Sequence, residues 1–163
     1  MNAVIRAYGP ADLPAMTAVW NEIVEEGVAF PQEDFLDDIS ARAFFAAQTH
    51  CGVAVDPASE RLVGLYILHP NNVGRCGHIA NASFAIGSAE RGRGIGRALV
   101  LDCLKEAKAH GFRLMQFNAV VANNTGARRL YTQLGFRELG VIPAGFRMKD
   151  GHFEDIYPYI IEL

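Results

Sequence analysis

At 163 residues the chain has the length of one ordinary domain with a core of its own, and residues 1–163 are expected to form that single domain. Half of the residues are hydrophobic and 20% charged, which excludes broad disorder. A formal charge of -3 gives no global attraction to nucleic acid or to an anionic membrane, so neither is expected as a partner.

In chain order, Ala3 to Tyr8 reads as a first strand, closed by Gly9-Pro10. Leu13, Met16, Val19, Trp20 and Ile23 recur at helical spacing over residues 11–26, and Gly27 ends that helix. Phe30-Pro31 marks a turn, and a second helix is expected from Asp34 to Gln48 with Phe35, Ile39, Ala43 and Phe44 inward. Strands near 51–55 and 62–68 flank the turn Asp56-Pro57-Ala58-Ser59. After a loop at His69–Gly74 comes a long strand at 77–86, then a helix that begins at Ile95 and stops at Gly111. A strand at 113–121, a helix opened by Asn124, and strands near 136–141 and 153–162 complete the order β-α-α-β-β-β-α-β-α-β-β.

Cys51, Cys76 and Cys103 are odd in number and lack metal-ligand spacing, so reduced thiols are expected and no metal site. The stretch from Met1 to Pro14 has no basic-then-apolar pattern, and no apolar run approaches the ~20 residues that cross a bilayer. A soluble, cytoplasmic protein is the expectation.

Chemistry concentrates in Arg91-Gly92-Arg93-Gly94-Ile95-Gly96-Arg97, between a strand and an amphipathic helix. A glycine-rich turn that opens a helix leaves backbone N–H groups unpaired, and the helix dipole and arginines make them an anion cradle. The expected ligand is a phosphate or pyrophosphate. Dinucleotide spacing fails, because counting from Gly92 or Gly94 puts Arg97 or Leu99 where the third glycine belongs. A Walker loop fails for want of Gly-Lys-Ser/Thr.

What remains, Arg-x-x-Gly-x-Gly from Arg91 to Gly96, resembles the acetyl-CoA motif of the GCN5-related N-acetyltransferases, the GNAT superfamily. A second motif follows. Asn124 through Phe136 reads as a capped amphipathic helix and is similar to the GNAT pattern Asn-x-x-Ala-x-x-Leu-Tyr-x-x-x-Gly-Phe. The resemblance implies an α/β fold whose mixed, mostly antiparallel central sheet is splayed at strands 4 and 5 and flanked by helices. It implies acetyl-CoA as co-substrate, held along Phe84, Ala85 and Ile86 and at the pyrophosphate positions Arg91, Gly92, Arg93, Gly94, Ile95, Gly96 and Arg97. Asn124 caps its helix and can reach the cofactor as well.

The family tyrosine falls on Tyr131, which the resemblance makes the general acid for the departing thiolate. A phenol of pKa about 10 protonates a thiolate of about 8.5 only slightly uphill. Many family members carry a glutamate base where this chain has Phe117-Asn118-Ala119, and an amide cannot take a proton at neutral pH. His78, Glu26 and Asp155 are the candidates for a relay.

Asparagine is a poor strand former and a buried amide demands partners, so Asn81 and Asn118 on neighbouring strands read as a ligand-binding pair. His69-Pro70-Asn71, Gly74-Arg75-Cys76, His78, Asn81, Phe117-Asn118 and Gly140–Pro143 resemble N-acetyltransferases of proline analogues such as azetidine-2-carboxylate. That implies a small amino or imino acid as acceptor, its carboxylate at Asn81 and Asn118. Phe30 and Trp20, outside the stretch of about residues 60–160 that carries the resemblance, are candidate pocket walls that read equally as core. Rival readings are a peptide N-acetyltransferase, a phosphinothricin-type acetyltransferase and a catalytically idle acetyl-CoA-binding module. Dimers are common in the family, and a homodimer stays open.

Overall fold

The structure is a computed structural model that describes residues 3–163; Met1 and Asn2, the start of the stretch read for a signal pattern, lie outside the described residues. Strand β1 (Val4–Ala7) leads through a 3-10 turn at Pro10–Asp12 into α1 (Leu13–Glu26). Met16, Trp20, Ile23 and Val24 form its buried stripe at helical spacing, and Gly27 stops it in the left-handed region with φ 63.

Helix α2 (Asp38–Ala46) begins later than expected, and its inward stripe differs. Asp37 accepts the Ser40 N–H at 2.7 Å while Ser40 Oγ accepts the Asp37 N–H at 2.9 Å, a reciprocal cap that fixes the helix start. With that phase Ala41 and Phe45 are buried and Phe44 half-buried, whereas Phe35, Ile39 and Ala43 are exposed. The inward placement of those three is therefore corrected.

Strands β2 (His50–Val55), β3 (Leu62–Pro70) and β4 (Ile79–Ile86) follow, then α3 (Ile95–Ala109), β5 (Leu114–Val121) and α4 (Thr125–Gln133). The last expected pair of strands is three: a short β6 (Arg137–Glu138), an unforeseen β7 (Ile142–Arg147), and β8 (Phe153–Glu162). Strand β7 holds Pro143, Ala144 and Gly145, residues that read as loop, because an irregularity carries them: Ala144 sits at φ 51 with its N–H held by Asp155 Oδ1 at 2.8 Å.

The sheet runs β1-β2-β3-β4-β5-β8-β6, with β7 also on β8, and every pair is antiparallel except β4–β5. Helices α1 and α2 cover one face, with Trp20, Phe45, Leu65, Ile67 and Ala85 at its centre. Helices α3 and α4 cover the other, over Tyr66, Leu99, Cys103, Met115 and Phe117. Tyr66 lies flat against β2 because residue 52 is glycine: a Cβ there would overlap the phenol ring. Its hydroxyl donates to Asp102 at 2.8 Å, tying sheet to α3. Among the described residues no helix is long and apolar enough to cross a membrane.

Candidate active site

Parallel strands β4 and β5 pair only at Ile79 with Leu114 and Ala80 with Met115. Beyond those residues they separate, which is the splay expected between strands 4 and 5. Alternation along β4 decides which main-chain groups face the gap. Asn81, Ser83 and Ala85 are opposite His69, Ile67 and Leu65 of β3, and on that side Asn71 N–H bonds the Ile79 carbonyl at 2.8 Å and Gly87 N–H the Val63 carbonyl at 3.2 Å. On the other side the His78 carbonyl accepts from Leu114. Phe84 and Ile86 thus turn their N–H and C=O toward the gap, while Ala85, wholly buried, turns its own toward β3.

The glycine run forms the other wall. Gly92 and Gly94 sit at φ 75 and φ 81, with open space where a Cβ would be. Their left-handed turns expose the main chain, as glycine permits at low strain. The first helical bond of α3 is Ala98 N–H to the Gly94 carbonyl at 3.3 Å, and no N–H from Gly92 to Arg97 has an acceptor among the described residues. These consecutive donors fit a pyrophosphate at a helix N-terminus. The arginines are not equivalent. Arg91 pairs with Glu26 at 2.7 Å and Arg93 with Glu90, whereas Arg97 has no carboxylate partner among the described residues.

A cavity of about 200 Å³ opens at the gap, and Phe30, Asn81, Phe84, Asn118, Asn124 and Tyr131 line it together. The Tyr131 ring is fixed by Phe117 at 4.6 Å, Phe136 at 5.5 Å and Tyr159 at 5.7 Å. Its hydroxyl bonds no described protein group, and burial holds the phenol well above its ordinary range, so it stays protonated at neutral pH. Phe30 rests on Trp20 at 4.5 Å. Trp20 itself is buried beneath it and does not reach the cavity, which corrects its place as a wall.

Both asparagines are held in place. Asn81 Oδ1 accepts the Ala82 N–H at 2.8 Å. Asn118 Nδ2 donates to Asn71 Oδ1 at 2.7 Å, and Asn118 Oδ1 accepts from Gln116 Nε2 at 3.1 Å. Asn71 and Gln116 are thus neighbours of the cavity: Asn71 enters the sequence reading as part of the His69-Pro70-Asn71 resemblance, with no role assigned, and Gln116 reads as one more polar residue on a strand. Each cavity asparagine has an oxygen already engaged and N–H groups left to donate, an arrangement suited to an anionic or carbonyl oxygen.

None of the relay candidates reaches the cavity. Glu26 is taken by Arg91, Asp155 by the Ala144 N–H, and His78 lies at the start of β4 on the surface. Asn124 serves in two ways: it accepts the Ala127 N–H at 3.3 Å as a cap and also lines the cavity. Among the described residues no cluster of side chains is suited to a metal ion.

Residues 16–136 match the family described as Acetyltransferase (GNAT) family. The chain is 39% identical over 100 residues to the N-acetyltransferase aca1 of Schizosaccharomyces pombe, covering 60% of this chain and 47% of that protein, so it spans about half the length of that relative. It is 30% identical over 148 residues to the L-methionine sulfoximine/L-methionine sulfone acetyltransferase of Pseudomonas paraeruginosa, covering 88% of this chain and 85% of that one. Among solved structures, the phosphinothricin acetyltransferase of Sinorhizobium meliloti in complex with AcCoA superposes with a TM-score of 0.91 at 25% identity, over 100% of this chain and 89% of that chain. With the family match spanning the helices and strands that build the gap, the chain belongs to the GNAT acetyltransferases, whose acyl donor is acetyl-CoA.

Proposed function

We propose that the protein acetylates the amine of a small amino or imino acid, or of a toxic analogue of one, at the cavity between β4 and β5. The observation that carries this reading is the meeting of Asn81, Asn118 and Tyr131 around one small cavity with no carboxylate or histidine in it. The names of the Pseudomonas and Sinorhizobium proteins point to small amino-acid analogues as their substrates, which supports the same class here.

Acetyl-CoA supplies the acetyl group as a thioester. The N–H groups of Gly92 to Arg97 and the Arg97 guanidinium hold its pyrophosphate, and the gap-facing main chain of Phe84 and Ile86 aligns its arm. Asn81 and Asn118 grip the acceptor carboxylate through their amide N–H groups. Phe30 closes the cavity on the α1 side. Tyr131 holds a proton at Oη, and because burial raises the phenol above its ordinary range, its transfer to the departing sulfur must be concerted with C–S cleavage rather than follow it. No side chain in the cavity can act as a base at neutral pH, so the amine arrives neutral or loses its proton to water.

Acetyl-CoA turnover, followed by thiol release, against amino acids, proline analogues including azetidine-2-carboxylate, and peptides tests the reading. Turnover of amino or imino acids is the expected result. Turnover with peptides alone would overturn it, and acetyl-CoA binding with no turnover would make the protein a binding module.

A further inference from the structure

Helix α4 carries Tyr131, yet it has only nine residues and none of its side chains is wholly buried. Ala127, Leu130 and Tyr131 pack on the sheet half-buried. A helix this short is held by what it touches rather than by its own hydrogen bonds. Among the described residues, every side-chain hydrogen bond from α4 to the rest of the chain comes from Arg128. Its Nε donates to the Tyr159 hydroxyl at 3.2 Å, one terminal nitrogen to the Ala122 carbonyl at 3.3 Å, and the other to Glu138 at 3.3 Å. The guanidinium also lies 3.9 Å over the Tyr157 ring. One side chain thus ties α4 to the end of β5, to β6 and to β8.

Tyr159 carries that tie to the reaction cavity. Its hydroxyl donates to Glu138 at 2.7 Å while accepting from Arg128, so the buried phenol is held at its far end from two sides. In the ladder Tyr159 stands opposite Phe117 on β5 and Glu138 on β6. The Phe117 and Tyr159 rings both pack on Tyr131, at 4.6 and 5.7 Å. Arg128 itself does not line the cavity, so it touches no reacting group.

We infer that Arg128, acting through Tyr159 and Glu138, is a positioning residue for Tyr131. It fixes the height and tilt of α4 over β8, and with them the place of Tyr131 Oη in the cavity. The inference rests on the reading of Tyr131 as the acid. No side-chain hydrogen bond holds that hydroxyl, so its place is set by the ring contacts and the seat of the helix. Proton transfer needs Oη within hydrogen-bond reach of the departing sulfur, and a misplacement of about 1 Å can cost about a hundredfold in rate.

The test is steady-state kinetics of Arg128→Met and Tyr159→Phe, each alone and combined with Tyr131→Phe. The substrates are acetyl-CoA and whichever amino or imino acid the native protein turns over fastest. Arg128→Met keeps an unbranched stem and removes the donors. Tyr159→Phe keeps the ring and removes the hydroxyl, and it carries the test should the first variant not fold. Alone, they should lower kcat by about tenfold and about threefold, with the acetyl-CoA KM within about twofold. Combined with Tyr131→Phe, neither should lower kcat by more than a further factor of about two, because the proton being positioned is gone. Native kcat in both single variants, or the same loss with and without the Tyr131 hydroxyl, would overturn this inference and leave Tyr131 as the acid. So would a raised acetyl-CoA KM at native kcat, which would make Arg128 a ligand of the donor. Native kcat in Tyr131→Phe alone would remove the acid and this inference with it.

Discussion

Asn118 Nδ2 donates to Asn71 Oδ1 at 2.7 Å, joining the middle of β5 to the first residue after β3. Gln116 completes a chain of three amides by donating to Asn118 Oδ1. Such a chain fixes the direction in which the remaining Asn118 N–H points. Asn118→Ala should raise the acceptor KM by about fivefold to tenfold, the loss of about one hydrogen bond to a charged group, with the acetyl-CoA KM unchanged. Asn71 acts through Asn118, so Asn71→Ala should raise the same KM less, and the double variant should match Asn118→Ala alone. Additive effects in steady-state kinetics would deny that link.

Tyr131→Phe keeps the ring that packs on Phe117 and removes the proton. The variant should lose about a hundredfold in kcat while its acetyl-CoA KM stays within about twofold. Because burial holds the Tyr131 pKa high, the native rate should climb with pH as the amine deprotonates and continue past the ordinary phenol range near 10. A descending limb below about pH 10 would mean that another group supplies the proton.

The three arginines of the glycine run should separate in a titration of acetyl-CoA binding. Arg97→Ala removes the guanidinium that no described carboxylate neutralises, and should weaken binding about tenfold. Arg91→Ala breaks a half-exposed ion pair with Glu26 and should change affinity by no more than about threefold. Equal losses in calorimetry would show that Arg91 leaves Glu26 for the phosphates.

How far this was legible in the sequence depends on the length scale of each cause. The glycine loop, the Asn124 cap and the α1 stripe are local: spacing, φ requirements and a capping side chain set them, and all were readable. The phase of α2 was not, because it hangs on the Asp37–Ser40 box, a two-residue device inside a polar run. Strand β7 was missed for a non-local reason: Asp155, on the next strand, supplies the partner that lets Ala144 depart from the ladder. The site divides the same way. Asn81, Asn118 and Tyr131, which residue type and motif single out, line one cavity in the fold. Pairing of Arg91 with Glu26 and of Asn71 with Asn118 depends on side chains far apart in the chain meeting in the fold.

Stability should decline on the alkaline side. Burial pushes the Cys51 thiol from 9.0 up to about 12, and raises the Cys103 thiol and the Tyr66 phenol well above their ordinary values. The unfolded chain surrenders these protons at the ordinary values, so above them the native state binds more protons than the unfolded one. Stability is then fully present below about pH 9 and falls as pH rises from there toward 12. Urea midpoints taken across that range should drop steadily, and Cys51→Ala should flatten the slope. A midpoint independent of pH would mean that these thiols and the phenol ionise freely in the folded protein.

Among the described residues, two ladder pairs, Ile79 with Leu114 and Ala80 with Met115, join β4 to β5. Beyond them the two halves of the sheet part, with Asn81 just past the last pair on β4 and Asn118 on β5. The parting that turns the main chain of Phe84 and Ile86 toward the gap therefore also sets apart the two asparagines that line the cavity. The bond from Asn118 to Asn71 is a side-chain link that ties β5 back to the β1–β4 half across that parting.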